Sequence, residues 1–221
     1  MIMRLELKIT SIIKKLNTRS FLAMAGMAGP LILIITESIA ATSAERYNII
    51  KDSISSLALT PMGYVQTIGF LTIGLLIEVF TAGLLFSVRA ARGFHLSIGC
   101  LVFMGFGMLL IGAFRTDPVG AADTMEGVIH STAASIVFWL FPAASLLVAP
   151  SFRQDPHWQK IFKYTLVTAV LALVLVIIVA VLEDSDRWFG LAERLLVINM
   201  IIWVEVIAFR LFHLSMTLWN R

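Results

Sequence analysis

Charge is scarce in this chain, and cysteine is nearly absent. Only 14% of its 221 residues are Asp, Glu, Lys or Arg, where an ordinary soluble domain carries about a quarter. A water-soluble enzyme, a disordered chain and a nucleic-acid binder all fit that figure poorly. The single Cys100 excludes an internal disulfide framework and a thiolate metal or iron–sulfur cluster. It lies in an apolar run, where a small buried hydrophobe is expected. The few histidines occur singly, with no HxxxH or HExxH spacing, so the common zinc signatures are missing as well. No internal repeat, low-complexity tract or soluble domain is visible.

What is present is apolar. Hydrophobic residues make up 59% of the chain and the mean hydropathy is +0.91. Crossing ~30 Å of hydrocarbon takes roughly 20 mostly apolar residues. Runs of that order recur near 21–40, 65–88, 95–113, 127–149, 161–182 and 192–213. Backbone in lipid must satisfy its own hydrogen bonds, and these runs lack the alternation of a barrel strand. The expected fold is therefore all-α, a polytopic membrane protein of six transmembrane helices. Pro30 interrupts the first run, and the last carries Glu205 and Arg210.

The first run follows a basic leader and precedes Ser38-Ile39-Ala40 and Thr42-Ser43-Ala44, which resemble small-residue cleavage sites. A secretory signal is thus a rival reading. The leader is long for one, and we read the segment as an uncleaved helix. Within the leader, Leu5, Ile9, Ile12, Ile13 and Leu16 share one helical face opposite Lys8, Lys14 and Lys15. That pattern suits an amphipathic helix on an anionic leaflet, with a frayed basic tail as the plain alternative. The domains expected are a cytoplasmic leader, 1–19, and a transmembrane unit, 20–221.

The net charge of +3 reads as a topology signal rather than a nucleic-acid footprint. Alternate connections put Arg46, Lys51, Arg115, Arg187 and Arg194 on one side and the other 12 of the 17 Lys and Arg on the side of the termini. The positive-inside rule then predicts a multi-pass protein of the inner (plasma) membrane with both termini cytoplasmic. The longest connection, 41–64, is outer. Its apolar residues at 50, 54 and 57 have helix spacing, ending at Thr60-Pro61-Met62-Gly63, which predicts a short interfacial helix in that loop.

A charge in the bilayer costs ~2.5–3.5 kcal/mol, so charged groups kept near the spans require reasons. Four segments bring them to the outer ends: Asp52, Ser53 and Ser55 in the first loop, Arg115 and Asp117 after the third span, Glu126 and His130 in the fourth, Glu193 and Arg194 in the sixth. Asp123 and Glu126 have capping-box spacing and predict a helix beginning near 124. Glu126 and His130, four apart, share a face, so the carboxylate can orient the imidazole. The plain alternative is a cap plus a histidine bonded to a loop carbonyl.

Four short motifs carry a resemblance. Tyr47-Asn48 with Asp52-Ser53-Ile54-Ser55-Ser56-Leu57, then Gly112-Ala113-Phe114-Arg115-Thr116-Asp117-Pro118, Gly127-Val128-Ile129-His130 and Gly190-Leu191-Ala192-Glu193-Arg194-Leu195 follow in order over nearly the whole chain. Together they resemble the six-helix prokaryotic membrane proteins grouped as domain of unknown function 998. The resemblance implies a fold pattern and no established reaction. It also implies that Asp52, Ser55, Arg115, Asp117, His130, Glu193 and Arg194 occupy family-typical polar positions, with Glu78 and Glu205 outside that pattern.

Three chemistries suit the outer cluster. Asp52, Asp117, His130 and Glu193 have ligand types for a metal. Ser53 or Ser55 with His130 as base and Asp117 or Glu126 as orienter would make a hydrolase, although no GxSxG elbow is present. Arg115 and Arg194 would make forks for a phosphate or carboxylate, with the acids of the cluster and His130 holding them in place. The third is the leading expectation, a pocket for an anionic headgroup or lipid-linked substrate, and a purely structural network is its alternative. Enzymatic activity is left open. Catalytic candidates are His130, Asp117, Ser55 and Glu126, substrate-binding candidates Arg115, Arg194, Asp52 and Glu193, and no metal is expected.

Glu78 and Glu205 fall roughly 15–20 Å deep by helical rise, where they could serve a transporter by sharing a proton, binding a cation or pairing with Arg210. His95 and His213 are thin candidates for haem ligands, and no cofactor is expected. The partners expected are membrane lipid and either further copies of the chain or a larger membrane complex, without nucleic acid. An accessory role in such a complex is a rival function.

Overall fold

A computed structural model describes residues 16–183 and 187–218. Leu5, Lys8, Ile9, Ile12, Ile13, Lys14 and Lys15 of the leader lie outside the described residues. Leu16 lies just ahead of the first helix, and Thr18 and Arg19 already belong to it. The helices are α1 (Thr18–Thr42), α2 (Gly63–Leu85), α3 (Phe94–Ala113), α4 (Met125–Gln154), α5 (Phe162–Leu182) and α6 (Phe189–Thr217), with no strand among the described residues. All six are long and apolar enough to cross a membrane. The shortest, α3 with 20 residues, reaches about 30 Å at 1.5 Å per residue.

Each helix packs on the next, and α6 returns to α1, so the six close into a ring. Short connections make consecutive helices antiparallel neighbours, and polar side chains pin the contacts. Asn17 caps α1 by accepting from the Ser20 amide at 3.0 Å, and Ser20 Oγ meets Ser215 Oγ of α6 at 2.8 Å. Ser97 donates to the Ala144 carbonyl between α3 and α4 at 2.7 Å, and Trp203 Nε1 to Thr165 Oγ1 between α6 and α5 at 3.3 Å. Such bonds and small-residue contacts, here Ala25, Gly26 and Gly29 of α1, hold helices together where lipid removes the hydrophobic drive.

The ends of the bundle differ. The terminal end, which carries residues 16 and 218, is closed by a knot between the α2–α3 and α4–α5 connections. Asp155 accepts from the Arg89 amide at 3.0 Å, Ser151 Oγ from the Ala91 amide at 3.0 Å, and Trp158, fully buried, stacks on Phe152 at 5.1 Å. The opposite end carries the 43–62 loop and is called here the loop end.

Two expectations about the loop end are corrected. Residues 47–54 form turns rather than an interfacial helix, and the helical piece is a buried 3₁₀ helix, Ser55–Leu59. The reason lies in α6, whose Gly190 and Leu191 amides bond the carbonyls of Lys51 and Ile50 at 3.2 and 3.0 Å and remove them from any helical ladder. Gly190 is required there, because a Cβ would collide with the carbonyls of Asp52 and Ile49. Second, the cap of α4 is Thr124 and not Asp123: Thr124 Oγ1 accepts from the Gly127 amide at 3.1 Å.

Candidate functional site

The site grows from three helix ends at the loop end. Phe114 terminates α3 in an extended conformation, so its carbonyl has no helical amide to accept from. His130, just over a turn into α4, takes that carbonyl: Nδ1 lies 2.8 Å from Phe114 O. A carbonyl can only accept, so Nδ1 carries the hydrogen and Nε2 of the neutral ring presents its lone pair. Ser55 Oγ stands 2.9 Å from that nitrogen and donates to it. The Ser55 end of the pair is held by α6, because Glu193 Oε2 accepts from the Ile54 amide, at the head of the 3₁₀ helix, at 2.7 Å. His130 is 3% exposed and Glu193 6%.

Two cavities meet at these groups. The larger, about 260 Å³, is a vestibule between α4, α5 and α6 lined by Ser53, Ser55, Thr116, His130, Ser131, Ser135, Glu183 and Glu193, with Phe138 and Trp139 deeper. It opens on the bundle surface, where Ser131, Ser135 and Trp139 are exposed. The smaller, about 70 Å³, lies inside the ring among Leu33, Phe70, Ile77, Met104, Met108 and Val204. Ser55, Ala134, Phe138 and Glu193 line both. A vestibule of mixed polar and apolar lining therefore adjoins an apolar cavity.

Arg194 does other work. Its Nη1 donates to the carbonyls of Ile49, Asp52 and Gly190 at 3.0, 2.8 and 3.0 Å, its Nη2 donates to the Tyr47 hydroxyl, and its Nε pairs with Glu37 of α1 at 3.2 Å. The guanidinium also lies over the Tyr47 ring, 5.4 Å from its centre. Burial pushes the Tyr47 hydroxyl up to about 12 against the pull of Arg194. This arginine is a strap fastening the first loop to α6 and α1.

Of the residues singled out in the sequence, Ser55, His130 and Glu193 come together, Ser53 lines the same vestibule, and Arg115, Arg194, Asp52, Asp117 and Glu126 do not join them. Arg115 is exposed and lines neither cavity. The expected pair of arginine forks is thus not assembled, since Arg194 is consumed by main-chain carbonyls and Glu37. Asp52 accepts from the Asn48 amide at 2.6 Å, within its own turn. Asp117 accepts from the Thr124 amide at 2.8 Å and the Thr124 hydroxyl at 2.7 Å, and these bonds hold its carboxyl below the usual range. Gly127 makes room for it, because a Cβ there would overlap the Asp117 carboxylate. Glu126 is exposed at the first turn and does not orient His130; Phe114 does. Asp52, Asp117, His130 and Glu193 therefore do not converge, and no group of three potential metal ligands exists among the described residues.

The deep acids also separate. Glu78 packs its carboxylate on Gly105 of α3, and Glu205 keeps Oε1 buried without a partner. Their neighbours Ile77 and Val204 line the ring cavity, but Glu78 and Glu205 do not. Arg210 donates to the His157 carbonyl at 2.9 Å, so the expected pairing with Glu205 is not formed. His95 and His213 are both exposed, on α3 and α6, which are not neighbours in the ring. Sequence reasoning missed Glu37. An acid inside an apolar run was the available signal, since such a group needs a partner. It also missed Gln66, fully buried on α2 with both amide atoms unpartnered, for which we have no physical account.

A closed ring of six helices, each long and apolar enough to cross a membrane, defines a polytopic helical membrane protein. The model of the family described as "Protein of unknown function (DUF998)" matches residues 27–210, and the chain belongs to that family. No curated protein and no solved structure matches it.

Proposed function

We propose that this protein binds a membrane amphiphile from the extracytoplasmic side of the inner membrane, with its head in the vestibule and the first carbons of its chain in the ring cavity. The observation that carries this reading is the adjacency of the two cavities, which share Ser55, Ala134, Phe138 and Glu193 as lining. A vestibule with five hydroxyl residues beside an apolar cavity matches a molecule that is polar at one end and alkyl at the other. The orientation rests on the bias of Lys and Arg toward the termini, which places the loop end outside.

The lining also addresses headgroup charge. Among the described residues, five hydroxyl residues, two carboxyl residues and His130 line the vestibule, and no Lys or Arg does. An anionic headgroup finds no fork there, in contrast to what the sequence led us to expect. A head that offers hydroxyl or ammonium donors is favoured instead. The test is native mass spectrometry of the protein from bilayers of equal phosphatidylethanolamine and phosphatidylglycerol. The wild type is expected to retain phosphatidylethanolamine preferentially, and Ala134→Phe, which plugs the junction, to lose it. Equal retention by wild type and plugged variant would overturn the pocket, and preference for phosphatidylglycerol would overturn the headgroup assignment.

A further inference from the structure

We infer that Ser55 and His130 are a nucleophile and general base, and that the vestibule is the active centre of a membrane-embedded esterase acting on the acyl ester of an amphiphile. The inference rests on the proposed amphiphile pocket and adds a reaction to it.

Its warrant is the direction of two hydrogen bonds. Nucleophilic serine needs a base within hydrogen-bond reach and a group that fixes the tautomer of that base. Here Ser55 Oγ lies 2.9 Å from His130 Nε2, and Phe114 O holds Nδ1 at 2.8 Å. The neutral ring therefore turns its lone pair on the serine hydroxyl. A carbonyl supplies the orienting role that a carboxylate fills in other serine hydrolases. Ser55 and His130 both line the vestibule, so the pair faces space in which a substrate can sit. Ser53, two residues away, is committed differently: its Oγ accepts from the Ser56 amide at 3.1 Å. That leaves Ser55 as the serine aimed at the imidazole.

The step balances without a cofactor. Ser55 Oγ attacks the ester carbonyl carbon while its proton passes to His130 Nε2. The tetrahedral intermediate collapses, the C–O bond to the alcohol breaks, and the leaving alkoxide takes the proton from Nε2. Water then attacks the acyl-serine, gives its proton to Nε2, and Ser55 Oγ leaves with that proton as the acid is released. Thr116 and Ser135, which line the same cavity, are the residues that would supply hydroxyl donors to the oxyanion. Phe138 and the apolar ring cavity would hold the acyl chain.

The experiment treats the full-length protein in mild detergent with a long-chain alkyl fluorophosphonate and locates the adduct by peptide mass spectrometry. The expected result is phosphonylation at Ser55, with fluoride as the leaving group. Labelling should be lost in Ser55→Ala, fall roughly a hundredfold or more in His130→Gln, and persist in Ser38→Ala, whose hydroxyl bonds the Ile34 carbonyl on an exposed part of α1. Wild-type protein that stays unlabelled, or is labelled at another serine, overturns the inference, and this readout needs no variant to fold. The lipid-retention measurement separates the two ideas: retained lipid with an inert Ser55 removes the reaction and keeps the pocket, whereas loss of both removes the pocket as well.

Discussion

At the terminal end, Asp155, Ser151 and Trp158 bond the main chain of the α2–α3 connection and fasten it to α4 and the α4–α5 connection. At the loop end the same kinds of group divide into two sets. Arg194, Asp52 and Asp117 also bond main chain, whereas Ser55, His130 and Glu193 satisfy each other or an isolated backbone group while facing a cavity. Buried polar groups ordinarily pair so as to close a structure. Polar groups that are paired yet border open space are the ones available for chemistry, and at the loop end they stand beside an apolar cavity.

The Arg194 strap holds the loop end most strongly. Arg194→Leu leaves Glu37 without its ion pair and the Ile49 and Asp52 carbonyls without their guanidinium donor. It should cost about 3–5 kcal/mol, measured by equilibrium unfolding in SDS. A loss no larger than that of an exposed substitution would show that the loop does not depend on it. At the other end, Trp158→Ala empties a fully buried site and should cost about 3 kcal/mol, while the surviving folded protein retains lipid like the wild type. Altered lipid retention would mean that the two ends are coupled.

Gly127→Ala forces the Asp117 carboxylate off the head of α4, with an expected loss of about 1–3 kcal/mol and faster amide exchange in the first turn of that helix. Acid should act on the same contact. The Asp117 carboxyl is depressed in the folded protein by its bonds to Thr124, so its contribution is present above the ordinary carboxylate value. It is lost as pH falls through the lower folded value. Amides 124–127 are therefore expected to lose protection in acid in the wild type, and to show no such dependence in Asp117→Asn. The smallest effect belongs to Arg115→Ala, within about 0.5 kcal/mol and without change in retained lipid, because this side chain is exposed and outside both cavities. A marked loss of lipid there would restore the arginine to the binding site.

Helix count was readable because length and apolarity are local properties. The runs at 95–113 and 161–182 agree with α3 and α5 to within a residue at each end. Ends were less legible where a helix runs on beyond its apolar run, as Arg153 and Gln154 extend α4 and residues 214–217 extend α6. The site was half legible. Ser55, His130 and Glu193 stood out as polar groups near apolar spans, but so did Arg115 and Glu126, and their spacing along the chain does not separate cavity-facing groups from exposed ones. Glu126 and His130 share a helix, yet the imidazole finds Phe114, 16 residues earlier, because that carbonyl ends a neighbouring helix and has no other partner.

From the sequence by itself came six membrane-crossing helices and the family, since backbone in hydrocarbon has few ways to satisfy its hydrogen bonds and apolar length records them directly. Tertiary structure decided which polar groups meet. Ser55 and His130 are 75 residues apart, Ile54 and Glu193 139, and Arg194 reaches Glu37 from the opposite end of the chain. Contacts over such separations depend on ring closure, and the direction of a hydrogen bond depends on which atom is left unpaired at the end of a neighbouring helix.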